Sequence, residues 1–162
     1  MGMDRAKRDE LIARYKDGPR VVEDALTGMT DEELDRRPSP DEWTPREVIH
    51  HLADSEMTSA IRLRRLLVED NPTIDGYDEA AFARRLTLDR PLDASLDAMR
   101  AARRTSAELL DRLRASDWSR AGTHTESGRY SVEDWLRLYA AHAHDHAAQI
   151  TRARSGGGST GA

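Results

Sequence analysis

Six histidines, at positions 50, 51, 124, 142, 144 and 146, are the residues whose spacing suggests chemistry. His142 and His146 are four apart. On a helix they lie about 40° apart, one turn above the other. Two imidazoles so placed can share one metal ion, as the paired histidines of HExxH helices do. Around them Val132, Leu136, Tyr139, Ala143 and Ile150 form an apolar stripe. His146 falls inside that stripe, His142 at its edge, and His144 about 200° from His142. A second stripe runs Val48, Leu52, Ser55, Ser59 and Leu66. His51 lies about 60° to one side of Val48, within this arc, whereas His50 lies roughly opposite. The face therefore buries a histidine, two serines and Arg62, which is costly unless those groups are paired or ligated. The spacing fits a metal site, and it also fits buried histidines with hydrogen-bond partners. There are no cysteines, so a transition metal would have to be held by imidazoles and carboxylates.

The elements that would carry these residues are helical. Leu11, Tyr15, Gly18, Val22, Ala25 and Met29 step by three and four, and Gly18-Pro19 marks either a kink or a junction of two helices. Thr30 and Glu33 have capping-box spacing and predict a short turn over Asp31–Arg36. Thr44-Pro45-Arg46-Glu47 is a stronger start, with a cap, a proline at the first helical position and a Glu that reaches back. That helix should run to about Val68, before Asn71-Pro72. A turn at Asp75-Gly76 and a short helix over Asp78–Leu86 follow. Pro91 opens a helix with the stripe Leu92, Leu96, Met99, Arg103, Ser106, Leu110 and Leu113. Residues Trp118–Tyr130 read as a loop with room for a short hairpin. Ser131 caps a last helix, Val132 to about Arg152. No segment reads as a convincing strand. The expected fold is all-α, a four-helix bundle with a long crossover between helices 2 and 3. It forms a single domain over residues 1–152, and the Gly/Ser-rich residues 153–162 are an expected disordered tail.

Composition narrows the function. The 162 residues suit one domain, and 34% of them are charged with a net charge of −5, which argues against nucleic acid as a partner. No stretch approaches the ~20 apolar residues of a membrane span. The first residues lack the apolar run of a secretory leader, and with no cysteines the expected location is the cytoplasm.

The segment from Trp43 to Glu56, WTPREVIHHLADSE, resembles the second-helix motif of the DinB/YfiT-like superfamily. The likeness extends through Arg62, residues 69–74 and 76–79. His142 to Ile150, HAHDHAAQI, resembles the fourth-helix signature, and Tyr15 to Pro19 also fits. The resemblance implies a four-helix bundle with one divalent metal ion, zinc or nickel. One ligand comes from the second helix and two from the fourth, which fall on His51, His142 and His146. Asp145 stands where relatives often have a histidine, off the ligand face. The resemblance further implies a homodimer, a small-molecule substrate, and kinship to thiol transferases and a thiol-dependent isomerase.

Three neutral ligands leave an open position, the layout of a catalytic site. The reading favoured by the resemblance is transfer of a low-molecular-weight thiol, of bacillithiol or mycothiol type, to an electrophile. Hydrolysis by metal-activated water is the alternative, with a non-enzymatic binding module behind it. No carboxylate base is evident beside the histidines, which weighs against hydrolysis. Asp54, Arg62 and Tyr77 are the candidate catalytic residues. Asp54 could orient an imidazole or meet substrate, Arg62 could clamp a carboxylate, and Tyr77 could close over the site. Gln149 is a candidate to support His146. Trp43 and Trp135 read as core, His124 and His144 as surface, and Glu56 faces away from His51.

Overall fold

The computed structural model describes residues 2–155. Four long helices make the bundle: α1 (Arg5–Leu26), α3 (Pro45–Val68), α5 (Asp93–Leu110) and α6 (Val132–Arg154). Two short ones, α2 (Asp31–Leu34) and α4 (Glu79–Leu86), sit in the connections. The caps set the starts. Thr44 with Glu47, Thr30 with Glu33 and Ser131 with Asp134 each form a reciprocal capping box, which satisfies amides that a helix start leaves free. Helix α5 begins two residues after Pro91, without a side-chain cap. Residues 153 and 154 belong to α6, and the remainder of the expected tail, 156–162, lies outside the described residues.

Cross-helix contacts fix the topology. Met3 meets Glu133 and Arg154 meets Thr27, so α1 and α6 run parallel. His51 lies beside His146 while the Trp135 indole donates to the Ser59 carbonyl, so α3 runs antiparallel to α6. His50 with Ser95 and Arg64 with Thr105 make α3 and α5 parallel. The order is therefore up, down, down, up. Parallel neighbours α3 and α5 need a connection that returns the full length of the bundle, and residues 69–92 provide the expected crossover.

The expectation of no strands is corrected. Within the crossover β1 (Thr73–Ile74) pairs parallel with β2 (Ala121–His124), which pairs antiparallel with β3 (Gly128–Ser131). Strands of two and four residues are too short to show alternation in sequence. The sheet pins the crossover to the hairpin before α6. Gly122 permits the contact, because a Cβ there would stand 2.2 Å from the Pro72 carbonyl oxygen.

The apolar core falls into two clusters. One contains Tyr15, Leu63, Leu66, Trp135 and Leu136, and the other Val22, Val48, Leu52, Met99 and Ile150. Between them lies a polar layer centred on Arg103, which is 1% exposed. Its guanidinium donates to the Glu56 carboxylate at 2.9 Å, the Tyr15 carbonyl at 2.5 Å and the Tyr139 carbonyl at 2.7 Å. Helix α1 continues unbroken through Pro19, which has no N–H to give the carbonyl four residues earlier. That carbonyl is Tyr15's, and Arg103 fills the missing bond.

No helix among the described residues is long and apolar enough to cross a membrane.

Candidate metal centre

His51 lies in the second turn of α3, and His142 and His146 lie on α6. Antiparallel packing brings the three rings together. The Nε2 atoms of His51 and His142 are 3.3 Å apart, and those of His146 and His142 are 3.2 Å apart. One ligand atom from each of the three rings lies within 4.8 Å of the others. Ligands placed tetrahedrally at the zinc–imidazole distance of about 2.0–2.1 Å stand about 3.3 Å from one another. The donor set therefore fits one ion, as the resemblance implied.

Electrostatics keep the rings neutral. Burial, then the neighbouring His146, pushes His51 down to about 3. Burial, then His146, His51 and Arg103, pushes His142 down to about 2. Burial also lowers His146, against a hydrogen bond from its ring to Gln149. A neutral imidazole offers a lone pair, which is the form a metal needs. His146 is the one ligand with a partner on its other nitrogen, since Nδ1 lies 2.8 Å from Gln149 Oε1. The amide oxygen can only accept, so Nδ1 carries the proton and Nε2 faces the site. Trp43 packs 4.7 Å from the His51 ring and stacks 6.3 Å from His146. It is only partly buried, packing against the core cluster of Val22, Val48 and Ile150 as it walls the site.

The other histidines fall elsewhere. His50 Nδ1 sits 2.8 Å from Ser95 Oγ and 3.2 Å from Arg90, on the α5 side. His144 Nε2 lies 3.0 Å from the Arg14 carbonyl on α1. Asp145 is exposed. Glu56, completely buried, turns toward Arg103 and away from the triad.

A cleft of about 570 Å³ opens onto His142 between α3, α6, the crossover and the hairpin. Arg62 and Tyr77 both line it. Arg62 donates to the Tyr139 hydroxyl at 3.3 Å and to the Asp75 carbonyl, and it lies over the Tyr77 ring. Asp54 is not in the lining. It sits half-buried within the influence of Tyr77 and Arg90, and burial raises its carboxyl. His51 Nδ1 has no hydrogen-bond partner among the described residues, so Asp54 does not orient that ring. Sequence reasoning missed His124, Glu79 and Tyr130 as cleft walls. His124 and Tyr130 reach it through the short sheet, which carries no periodic signal, and Glu79 from the start of α4.

Comparison with known proteins agrees with this geometry. A family model described as the DinB superfamily matches residues 14–150. The chain is 36% identical over 143 residues to a protein of Oceanobacillus iheyensis named "Putative metal-dependent hydrolase", covering 88% of this chain and 83% of that one. A Bacillus mycoides protein of the same description is 33% identical over 146 residues, covering 90% and 84%. Among solved structures, YfiT from Bacillus subtilis superposes with a TM-score of 0.87 at 31% identity, over 93% of this chain and 87% of that one. It is described as "a probable metal-dependent hydrolase with an unusual four-helix bundle topology".

Proposed function

Because the chain belongs to the DinB superfamily, we propose that it is a hydrolase dependent on a divalent ion, zinc or nickel, held by His51, His142 and His146. One observation carries the reading: three neutral imidazole nitrogens converge beside a substrate-sized cleft that opens onto one of them, His142. An ion held by neutral ligands alone keeps its full charge and would supply an activated water at neutral pH. The chain's own part is to keep these rings unprotonated, to exclude water with Trp43, and to hold the substrate in the cleft. Arg62 and Tyr77 are the residues proposed to contact substrate. Asp54, half-buried on α3 one turn beyond His51 but outside the cleft lining, is not assigned the proton.

A second reading is transfer of a low-molecular-weight thiol of bacillithiol or mycothiol type to an electrophile. It is favoured by the all-histidine composition of the triad, because no carboxylate joins that group to take a proton from water.

The test begins with elemental analysis of the purified protein. One equivalent of zinc or nickel, lost in His146→Ala, is expected. Hydrolysis of a panel of p-nitrophenyl esters and anilides, lost with the metal, supports the hydrolase. Conjugation of monochlorobimane to one thiol of a panel, without hydrolysis, moves the assignment to the transferase.

A further inference from the structure

The walls of the cleft carry a second pattern that the metal does not use. Arg62 Nε and the Tyr130 hydroxyl are buried atoms without a hydrogen-bond partner among the described residues, and the buried Tyr77 hydroxyl makes no well-formed bond, with Ser55 in its vicinity. Tyr130 is 7% exposed. Leaving a buried donor unpaired costs free energy, so several such atoms around one cavity are unusual in a folded chain. Burial raises both tyrosines above the ordinary phenol range, which keeps the hydroxyls protonated and able to donate. Arg62 has no carboxylate within ion-pair distance among the described residues, although acidic side chains share its wall. Its two terminal nitrogens are held by the Tyr139 hydroxyl and the Asp75 carbonyl, so the Nε edge is presented in a fixed orientation.

We infer that this part of the cleft is a receptor for a carboxylate, and that the substrate is a carboxylate-bearing small molecule held by Arg62, Tyr77 and Tyr130. Fixed donors of this kind match the oxygens of an anion that arrives already desolvated. The charges of the wall disfavour a dianion more than a carboxylate, which must be held by the three directed donors. Glu79 lies in the same wall close enough to Arg62 to feel its charge, and the Glu126 carboxylate packs against Gly76 at the rim. Arg62 is the one cationic side chain in the lining, against Asp78, Glu79 and Glu126, so each added negative charge on a ligand is repelled, and a phosphate dianion more strongly than a carboxylate. The exposed Leu138 at the mouth provides apolar contact for the rest of the molecule.

The inference rests on the cleft being the substrate site of the proposed enzyme, but the receptor is made of protein atoms alone and can be tested without the ion. The experiment measures binding of 3-phenylpropionate and its neutral analogue 3-phenylpropanol by saturation-transfer NMR, on metal-stripped and zinc-loaded protein. The acid is expected to bind about tenfold more tightly than the alcohol in both forms, the difference one charged hydrogen bond makes. That preference is expected to vanish in Arg62→Gln. Tyr130→Phe supplies a second variant that removes one oxygen and no packing. It should weaken the acid several-fold while the melting temperature stays level or rises, whereas a merely structural hydroxyl would lower the melting temperature. Equal affinity for acid and alcohol, absence of binding by either, or a preference that survives both substitutions overturns the inference. So does a preference seen only with zinc, because the carboxylate would then be a metal ligand. Zinc uptake measured on the same samples reports separately on the metal site.

Discussion

At the residue scale the three ligands are not equivalent. Only His146 has its second nitrogen engaged, by Gln149, while Nδ1 of His51 and of His142 lacks a partner among the described residues. Outer hydrogen bonds of this kind fix the tautomer and raise the basicity of a ligand, and losing one costs about 10–100-fold in metal affinity. Gln149→Leu keeps the side chain's volume and removes the acceptor. It should weaken zinc binding by about that factor while leaving helix α6 and the melting temperature of metal-stripped protein unchanged. Trp43, 4.7 Å from the His51 ring, offers a fluorescence reporter for the titration. Affinity equal to wild type would show that packing alone orients His146. The convergence of the three rings was legible in sequence because helix angles separate His51 from His50 and His142 from His144. Gln149 could be read as a neighbour of His146, but not that it is the sole hydrogen-bond support.

At the scale of elements, helix starts were legible wherever a side chain closes the cap. Thr30, Thr44 and Ser131 each announce a start that the structure keeps. What sequence could not supply was the response of one helix to another. Gly18-Pro19 reads as either a kink or a junction of two helices, and α1 runs on as one helix because Arg103, 84 positions later, replaces the bond that proline forfeits. Gly18 makes room for it. A Cβ at that position would stand 2.1 Å from Arg103 Nη1 and 2.9 Å from the Ala143 Cβ. In an isolated helix Gly→Ala is stabilising by about 1 kcal/mol. Here it should destabilise by about 2–4 kcal/mol, because Arg103 must leave a carbonyl and a carboxylate buried. Urea unfolding of Gly18→Ala decides between these signs. The three-stranded sheet was illegible for a different reason: its pairing is set by the crossover meeting the hairpin, and neither two-residue β1 nor the four-residue strands carry an alternating pattern. The cleft walls Tyr130 and His124 were hidden with it.

On the scale of the whole molecule, the bundle stores a penalty in its metal site that acid should reveal. Folding places His51 and His142 where burial holds them near 3 and 2, far below the 6.5 of an unfolded chain. Above pH 6.5 both states carry neutral rings and the site has no effect on the pH dependence. Below it the unfolded chain binds protons that the folded chain refuses, so stability falls as pH drops, and continues to fall until the folded values are reached. Each histidine contributes about 1.4 kcal/mol per pH unit once fully below 6.5, which for the pair amounts to about 4 kcal/mol between pH 7.5 and pH 5. His146, lowered without a stated endpoint, adds in the same direction. A loss of that size is a large fraction of the ~5–15 kcal/mol by which domains are stable. Metal-stripped wild type should therefore lose stability steeply toward pH 5, while the His51→Gln, His142→Gln double variant, which keeps only His146 of the three rings, should lose markedly less. Urea midpoints for both chains at pH 7.5, 6.5, 5.5 and 5.0 measure the difference. Parallel curves would mean that the rings find solvent or a partner in the metal-stripped fold, and that the neutral, converged geometry is not the resting state of the bundle. If the curves diverge as expected, zinc added to the wild type should hold its midpoint up at pH 6.5 and 5.5, because a ligand that binds only the folded state stabilises it by mass action. The same ion should leave the double variant unchanged.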